Sequence, residues 1–286
     1  MPARPFVDRP VGDVKAARAL AERVTRALDL PGPVVMRVGM NALFRAGDVV
    51  VRVGRPSAPP QLGIELAHRL REREIAAPVP ATAEVFVDGE LAATCWQYLP
   101  VTGVPVDWRE VGVIVRRVHR LLPADLPDGY PVPPPTAFPW WDFDALMADA
   151  DVSIDAAARA GLEQAIARNS AWRRLDATCV VCHGDVHPGN VVMTADGPVL
   201  IDWDLMCAAP PGWDHAMLLT LAERWGGDPT AYASFAAGYG ESLAGDVTTR
   251  RFAELRNVAA TLMRVRAGRT DPVARAEAER RLRYWR

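Results

Sequence analysis

Residues 183–190 read His-Gly-Asp-Val-His-Pro-Gly-Asn, and twelve residues after Asn190 the chain returns Asp202 in the run Ile201-Asp202-Trp203-Asp204. One acid, one amide and a second acid therefore recur across what reads as a tight hairpin. Transfer of a phosphoryl group to a hydroxyl needs this set: one carboxylate facing the hydroxyl, and an amide plus a second carboxylate on magnesium. Asp185 is the candidate for the first role. Asn190 and Asp202 are candidates for the second, because a hard divalent cation takes oxygen ligands. Asp204 either reaches a second metal or a metal-bound water, or faces solvent. The bland alternative makes Asp185 a helix-capping loop residue, Asn190 a turn residue after Gly189 and Asp202 a strand-end cap. The joint spacing favours chemistry.

These side chains need elements to hold them. Asp13 to Leu28 carries a helical stripe of Val14, Ala17, Leu20, Ala21, Val24 and Leu28, with Asp13 as N-cap. Short β-rich runs come next at 34–38, 42–46 and 49–53, then a helix over 61–75 and a hairpin of 84–87 with 91–99 around Asp88-Gly89. This predicts a small α+β unit, residues 1–99. Pro100 to Pro105 reads as a hinge. The remainder, 100–286, is predicted mainly helical over 108–122, 141–147, 154–172, 213–225, 229–239, 248–267 and 272–284. Short strands near 180–181, 191–193 and 199–201 frame the acid-amide-acid block.

The chain has 286 residues of ordinary soluble composition, and its formal charge of −2 argues neither for nor against nucleic acid; with no basic, aromatic-interleaved sheet motif, no nucleic-acid partner is expected. No run approaches the roughly 18–20 apolar residues of a membrane span. Met1 to Pro10 has no apolar signal-peptide core, so a cytoplasmic protein is expected. Cys179 and Cys182 form a C-x-x-C, but on a strand residues three apart face opposite ways, so small buried hydrophobes are expected rather than a metal site. Lys15 is the only lysine. Any cation that holds phosphate beside Asp185 must therefore be an arginine, which can do so by bidentate contact.

His183, Asp185 and Asn190 match the protein-kinase catalytic loop, His-Arg-Asp, four residues, Asn. With Ile201-Asp202-Trp203-Asp204 behind it, the block resembles the aminoglycoside phosphotransferase and choline kinase family, small-molecule kinases. Gly39-Met40-Asn41-Ala42-Leu43-Phe44-Arg45 resembles the family's phosphate-covering loop, and Val50-Val51-Arg52-Val53 the strand after it. Glu65 opens the next helix. Gly112 to His119 resembles a helix that the family ends in Leu-x-x-Leu-His, and Pro210-Pro211-Gly212-Trp213-Asp214 its Pro-x-x-x-Asp turn. The resemblance implies a two-lobed α+β protein-kinase-like fold. Its N-lobe is a small five-stranded antiparallel sheet, its C-lobe is mainly helical, and ATP or GTP lies between them with magnesium. It implies Asn41 near the phosphates, backbone of Gln97, Tyr98 and Leu99 at the base, and Asp214 and His183 bracing the loop. His187 is expected within the loop or facing substrate. His68, His119 and His215 are expected to be packing or surface residues.

Alternation on the strand 49–53 places Arg52 and Val50 on one face. An arginine on an apolar strand demands a partner. Glu65 is expected to supply it, giving an Arg-Glu pair where protein kinases have Lys-Glu, with Arg52 on the nucleotide phosphates; the alternative is an edge-strand arginine that reaches water.

Residues 121–158 contain seven Asp, no basic residue, and Tyr130, Phe138, Trp140, Trp141 and Phe143. In the resembled family this region shapes the acceptor site. Carboxylates among aromatics suit a small hydroxylated, cationic acceptor such as an aminoglycoside, amino sugar or amino alcohol, with Asp142 and Trp141 as first candidates. The bland reading is a solvated loop anchored by its aromatics. Two other functions fit parts of the pattern. Gly184-Asp185-Val186-His187 also resembles a metallophosphoesterase motif, but no Gly-Asn-His segment accompanies it. A nucleotide-binding pseudokinase would need a lost catalytic residue, and none of the three is lost.

Overall fold

The computed structural model describes residues 11–56, 58–150, 154–174 and 178–286. Met1 to Pro10, which bear on targeting, and Asp151 of the acidic stretch lie outside the described residues.

Asp13 accepts the Lys15 amide at 2.8 Å and starts α1 (Val14–Ala27). Its buried stripe of Ala17, Leu20, Ala21 and Val24 packs on one face of a five-stranded sheet. The strands are β1 (Val34–Val38), β2 (Ala42–Ala46), β3 (Val49–Gly54), β4 (Phe86–Asp88) and β5 (Leu91–Gln97), in the order β1-β2-β3-β5-β4. Each pairing is antiparallel. Period-two alternation sends Phe44, Val51, Val53, Ala93 and Cys95 into the α1 core and leaves Leu43, Arg52 and Thr94 as a row on the other face. Between β3 and β4, α2 (Gln61–Glu72) turns its buried Leu66 and Leu70 toward helix α3 (Trp108–Val118). They share a core with Val111, Val115 and Val118 rather than with the sheet.

The C-lobe adds α4 (Phe143–Ala150), α5 (Ala156–Arg168), α6 (Gly212–Leu219), α7 (Leu221–Trp225), α8 (Ala231–Tyr239), α9 (Val247–Ala267) and α10 (Pro272–Leu282). Phe252, Leu255, Val258 and Leu262 of α9 lie in one core with Trp141, Trp172 and Trp213. Two short strand pairs frame the acid-amide-acid block: β6 (Val180–Cys182) with β9 (Cys207–Ala209), and the hairpin of β7 (Val191–Thr194) and β8 (Gly197–Leu200). The fold is two-lobed, α+β and protein-kinase-like.

The local differences from the sequence reading have physical causes. The helix expected from Trp141 begins at Phe143, because Pro139–Trp141 is a tight 3₁₀ turn and Asp142 caps the helix after it. Residues 213–225 split into α6 and α7 at Thr220. β9 has no signal in the sequence; Cys-Ala-Ala is a poor strand former and extends only because β6 offers an edge. Of the two cysteines expected to be buried on one strand, Cys182 is buried on β6 and Cys179 is exposed, because the strand begins only at Val180. Among the described residues no helix is long and apolar enough to cross a membrane.

Candidate active site

The loop from β6 to β7 is held from below by one carboxylate. Asp214, on α6, accepts the His183 amide at 2.8 Å and the Gly184 amide at 2.9 Å. His119, closing α3, meets the same carboxylate at 3.1 Å, and Tyr239 of α8 meets the other ring nitrogen at 3.0 Å. Burial raises the Asp214 carboxyl, but His119, His183 and the loop amides outweigh it and keep it ionised. His183 is fully buried, donates to the Ile201 carbonyl at 3.1 Å and accepts the Asp185 amide at 3.2 Å. It ties the loop to the end of β8. The bracing roles expected of Asp214 and His183 therefore have a geometry, and His119 shares in them.

That frame lifts Asp185 to the surface of the loop. Asn190 donates through Nδ2 to the Asp185 carbonyl at 2.9 Å and to its Oδ2 at 3.0 Å. His187 accepts the Gly189 amide on Nδ1 at 3.0 Å, which leaves Nε2 to face Asp185 Oδ2 at 3.3 Å. Arg256 arrives from α9, donating to Asp185 Oδ1 at 2.7 Å and to the Gly184 carbonyl at 2.9 Å. Burial alone would raise the Asp185 carboxyl; His187 and Arg256 outweigh it and bring it down to about 2. Asp185 is thus an ionised acid at neutral pH. Oδ1, occupied by Arg256 alone, keeps a lone pair for a hydroxyl donor. Sequence reasoning missed Arg256: it is one arginine among several on a long helix.

With its amide nitrogen spent on Asp185, Asn190 turns its oxygen the other way. Asp202 stands in left-handed backbone, φ 62°, a conformation costing on the order of 1 kcal/mol outside glycine. It is held there by Ile201 donating to the Asn190 carbonyl at 3.0 Å and Trp203 Nε1 to the Leu200 carbonyl at 3.0 Å. Asn190 and Asp202 both line one cleft. An amide oxygen and a carboxylate suit a hard divalent cation, so this donor pair fits magnesium. Burial, with Asp204 and Asp185 nearby, pushes the Asp202 carboxyl up to about 6.

Arg52 does not pair with Glu65. It donates to Asp204 Oδ2 and lies 3.8 Å from Asp202. Burial works against its charge, and the two carboxylates more than offset that. Glu65 faces outward and among the described residues reaches only Arg69, at 4.0 Å on its own helix. The reason is the rotation of α2, which buries Leu66 and Leu70 and so turns Glu65 away from the sheet. Asp204, expected on metal or in solvent, is the partner instead.

The cleft between sheet and C-lobe is about 370 Å³. Arg37, Met40, Asn41 and Arg52 wall it from the sheet side, Gln97, Tyr98 and Leu99 at its back, and Tyr130, Asn190, Asp202 and Asp204 from below. At the back, Gln97 donates its amide to the Val79 carbonyl and Tyr98 to that of Asp48, each at 2.8 Å. Among the described residues the Leu99 amide has no such partner, which leaves it for a base edge.

The acidic stretch lies elsewhere. Asp142 accepts the Ala145 amide at 3.1 Å and caps α4, while Trp141 is buried in the C-lobe core against Trp172 and Trp213. Asp125 pairs with Arg73, Asp149 with Arg269, and Asp155 with Arg286. These carboxylates cap helices and clamp arginines, and neither Trp141 nor Asp142 lines the cleft. Of the aromatics singled out, Tyr130 does.

Residues 41–256 match the model of the phosphotransferase enzyme family. The chain belongs to that family. It is a small-molecule kinase, and the span runs from the Asn41 loop to Arg256. Solved structures of similar fold include an amicoumacin kinase in complex with AMP-PNP and Ca²⁺, 14% identical over 95% of this chain and 94% of that one, TM-score 0.73. A spectinomycin phosphotransferase in complex with ADP and spectinomycin is 15% identical over 93% of each chain, TM-score 0.67. A choline/ethanolamine kinase family protein from Mesorhizobium loti is 19% identical over 95% of this chain and 92% of that one, TM-score 0.65. No curated protein sequence matches significantly.

Proposed function

We propose that this phosphotransferase moves the terminal phosphate of ATP or GTP to a hydroxyl of a small molecule, with magnesium. The observation that carries the proposal is Asp185, ionised and oriented by Arg256 and Asn190 beside a cleft with a hinge at its back and an arginine on its roof. The acceptor hydroxyl donates its hydrogen bond to Asp185 Oδ1. Its oxygen attacks the terminal phosphorus, the bond from phosphorus to the nucleoside diphosphate breaks, and the proton passes to Asp185. Arg256 fixes the acceptor's line of approach by holding both the Asp185 carboxylate and the loop carbonyl. Asn190 and Asp202 would hold magnesium, which when bound neutralises phosphate charge. Arg52 would contact the inner phosphates and Asn41 the outer ones. The Leu99 amide would take the base.

A cationic acceptor had its support in the acidic stretch, and none of that stretch's described carboxylates lines the cleft. The neighbours include a spectinomycin phosphotransferase, an amicoumacin kinase and a choline/ethanolamine kinase family protein, so hydroxylated acceptors of each kind belong in the test. A panel of charged and neutral alcohols is screened for consumption of Mg-ATP and Mg-GTP, with Asp185→Ala as control. Acceptor-dependent turnover that falls by roughly 10²–10⁴-fold in the variant supports the reading. Turnover unchanged by Asp185→Ala overturns it.

A further inference from the structure

We propose that Arg37 is a second phosphate-holding arginine, which takes the outer phosphates of the nucleotide while Arg52 stays tied to Asp204. This rests on the nucleotide reading above.

The register of β1 carries it. Val35 pairs with Phe44, whose side chain is buried in the core beneath α1. Continued without interruption, the ladder would set Arg37 opposite Ala42, which is fully buried in that same core. Instead a β-bulge falls between Val35 and Arg37, and Arg37 pairs with Leu43. One extra residue moves every later side chain to the other face. Arg37, Leu43, Arg52 and Thr94 then form a single cross-strand row on the cleft side. Opposite Ala42 the guanidinium would stand on the α1 side of the sheet; the bulge delivers it to the cleft lining instead.

The charges call for such a group. Arg256 neutralises Asp185, and Arg52 faces both Asp202 and Asp204, so these side chains leave the cleft one negative charge in excess. The side chains alone would repel a triphosphate, and a divalent cation on Asn190 and Asp202 offsets that for only part of the phosphate chain. Arg37 balances that charge from the same cleft wall. Among the described residues its side chain has no hydrogen-bond or ion-pair partner. Arg45 shares the face but is committed: its Nε donates to the Gly47 carbonyl at 2.9 Å and its guanidinium stacks over Tyr98. Arg37 is the cleft guanidinium with no partner of its own among the described residues, and phosphate accepts its fork in two parallel hydrogen bonds.

The test is binding of adenosine, AMP, Mg-ADP and Mg-ATP to the full chain by calorimetry, with the guanine series in parallel. Arg37→Gln is expected to weaken triphosphate binding roughly tenfold to a hundredfold, the range of a lost charge-assisted hydrogen bond, and to leave nucleoside binding unchanged. Arg37→Lys should recover part of the loss, since a point charge survives without the fork. Arg23→Gln, on α1, makes the same change in net charge far from the cleft and should change nothing. Equal triphosphate affinity in wild type and Arg37→Gln, with nucleoside bound by both, overturns the assignment of Arg37 alone. An equal loss for nucleoside and triphosphate overturns the phosphate role. Failure of wild type to bind any nucleotide overturns both the proposal and the function beneath it.

Discussion

Arg52 links the two halves of the cleft, because its strand belongs to the sheet and its partners Asp202 and Asp204 to the C-lobe. Arg52→Ala is expected to raise the nucleotide KM about tenfold or more, as loss of a charge-assisted contact does, and to leave the fold intact. Arg52→Lys should retain part of the activity. Normal nucleotide affinity in Arg52→Ala, read by the same calorimetry, would place Arg52 outside the phosphate site. Asp142 gives the opposite expectation. As a cap on α4 it contributes stability rather than acceptor affinity. Asp142→Ala should cost about 0.5–2 kcal/mol in urea unfolding and leave the acceptor KM unchanged. A large rise in acceptor KM without loss of stability would return Asp142 to the site.

At the scale of elements, the catalytic loop is placed by helices that touch each other closely. Gly112 of α3 lies against the Phe235 carbonyl and the Tyr239 amide of α8, and Gly238 of α8 against the Arg109 carbonyl. A Cβ at either position would meet backbone, not a side chain that can yield. This packing sets the distance between His119 and Tyr239, and through them the Asp214 carboxylate under the loop. Gly112→Ala should therefore destabilise by about 1–3 kcal/mol, the cost of overpacking a tight interface, and lower kcat more than the nucleotide KM. Unchanged stability in that variant would mean that the helices separate freely.

For the molecule as a whole, buried imidazoles set an acid limit. His215 is buried beneath α8 among Tyr232, Phe235 and Tyr239, and burial brings its pKa down to about 4. His183 is shifted the same way by the same cause. In the unfolded chain these groups take protons near pH 6.5, while the folded protein refuses them. Protonation then favours the unfolded state, so the His215 contribution is complete above about pH 6.5 and is lost as pH falls toward 4. The loss from His215 is at most about 3 kcal/mol. Urea midpoints measured from pH 7 to pH 4.5 should fall, and His215→Gln should flatten the slope. An identical slope in that variant would place the acid sensitivity elsewhere.

What the amino-acid order determined by itself was local. Asp185 and Asn190 share one loop, and Asp202 comes across one short hairpin, so their spacing is already their geometry. Strand alternation likewise put Arg52 opposite the Val51 and Val53 face before any packing was known. Tertiary structure alone decided partners. Arg256 reaches Asp185 from 71 residues away, and nothing in the α9 pattern separates it from the other arginines on that helix. Glu65 lost Arg52 to Asp204 because α2 rotates to bury its leucines, a choice made by the core and not by the strand. Asp142 went to a helix cap, and Asp125, Asp149 and Asp155 to arginines from distant parts of the chain. The physical reason is common to all of these. Periodicity fixes which face a residue occupies on its own element. Which charge it meets depends on how that element turns and docks, and local sequence does not encode that.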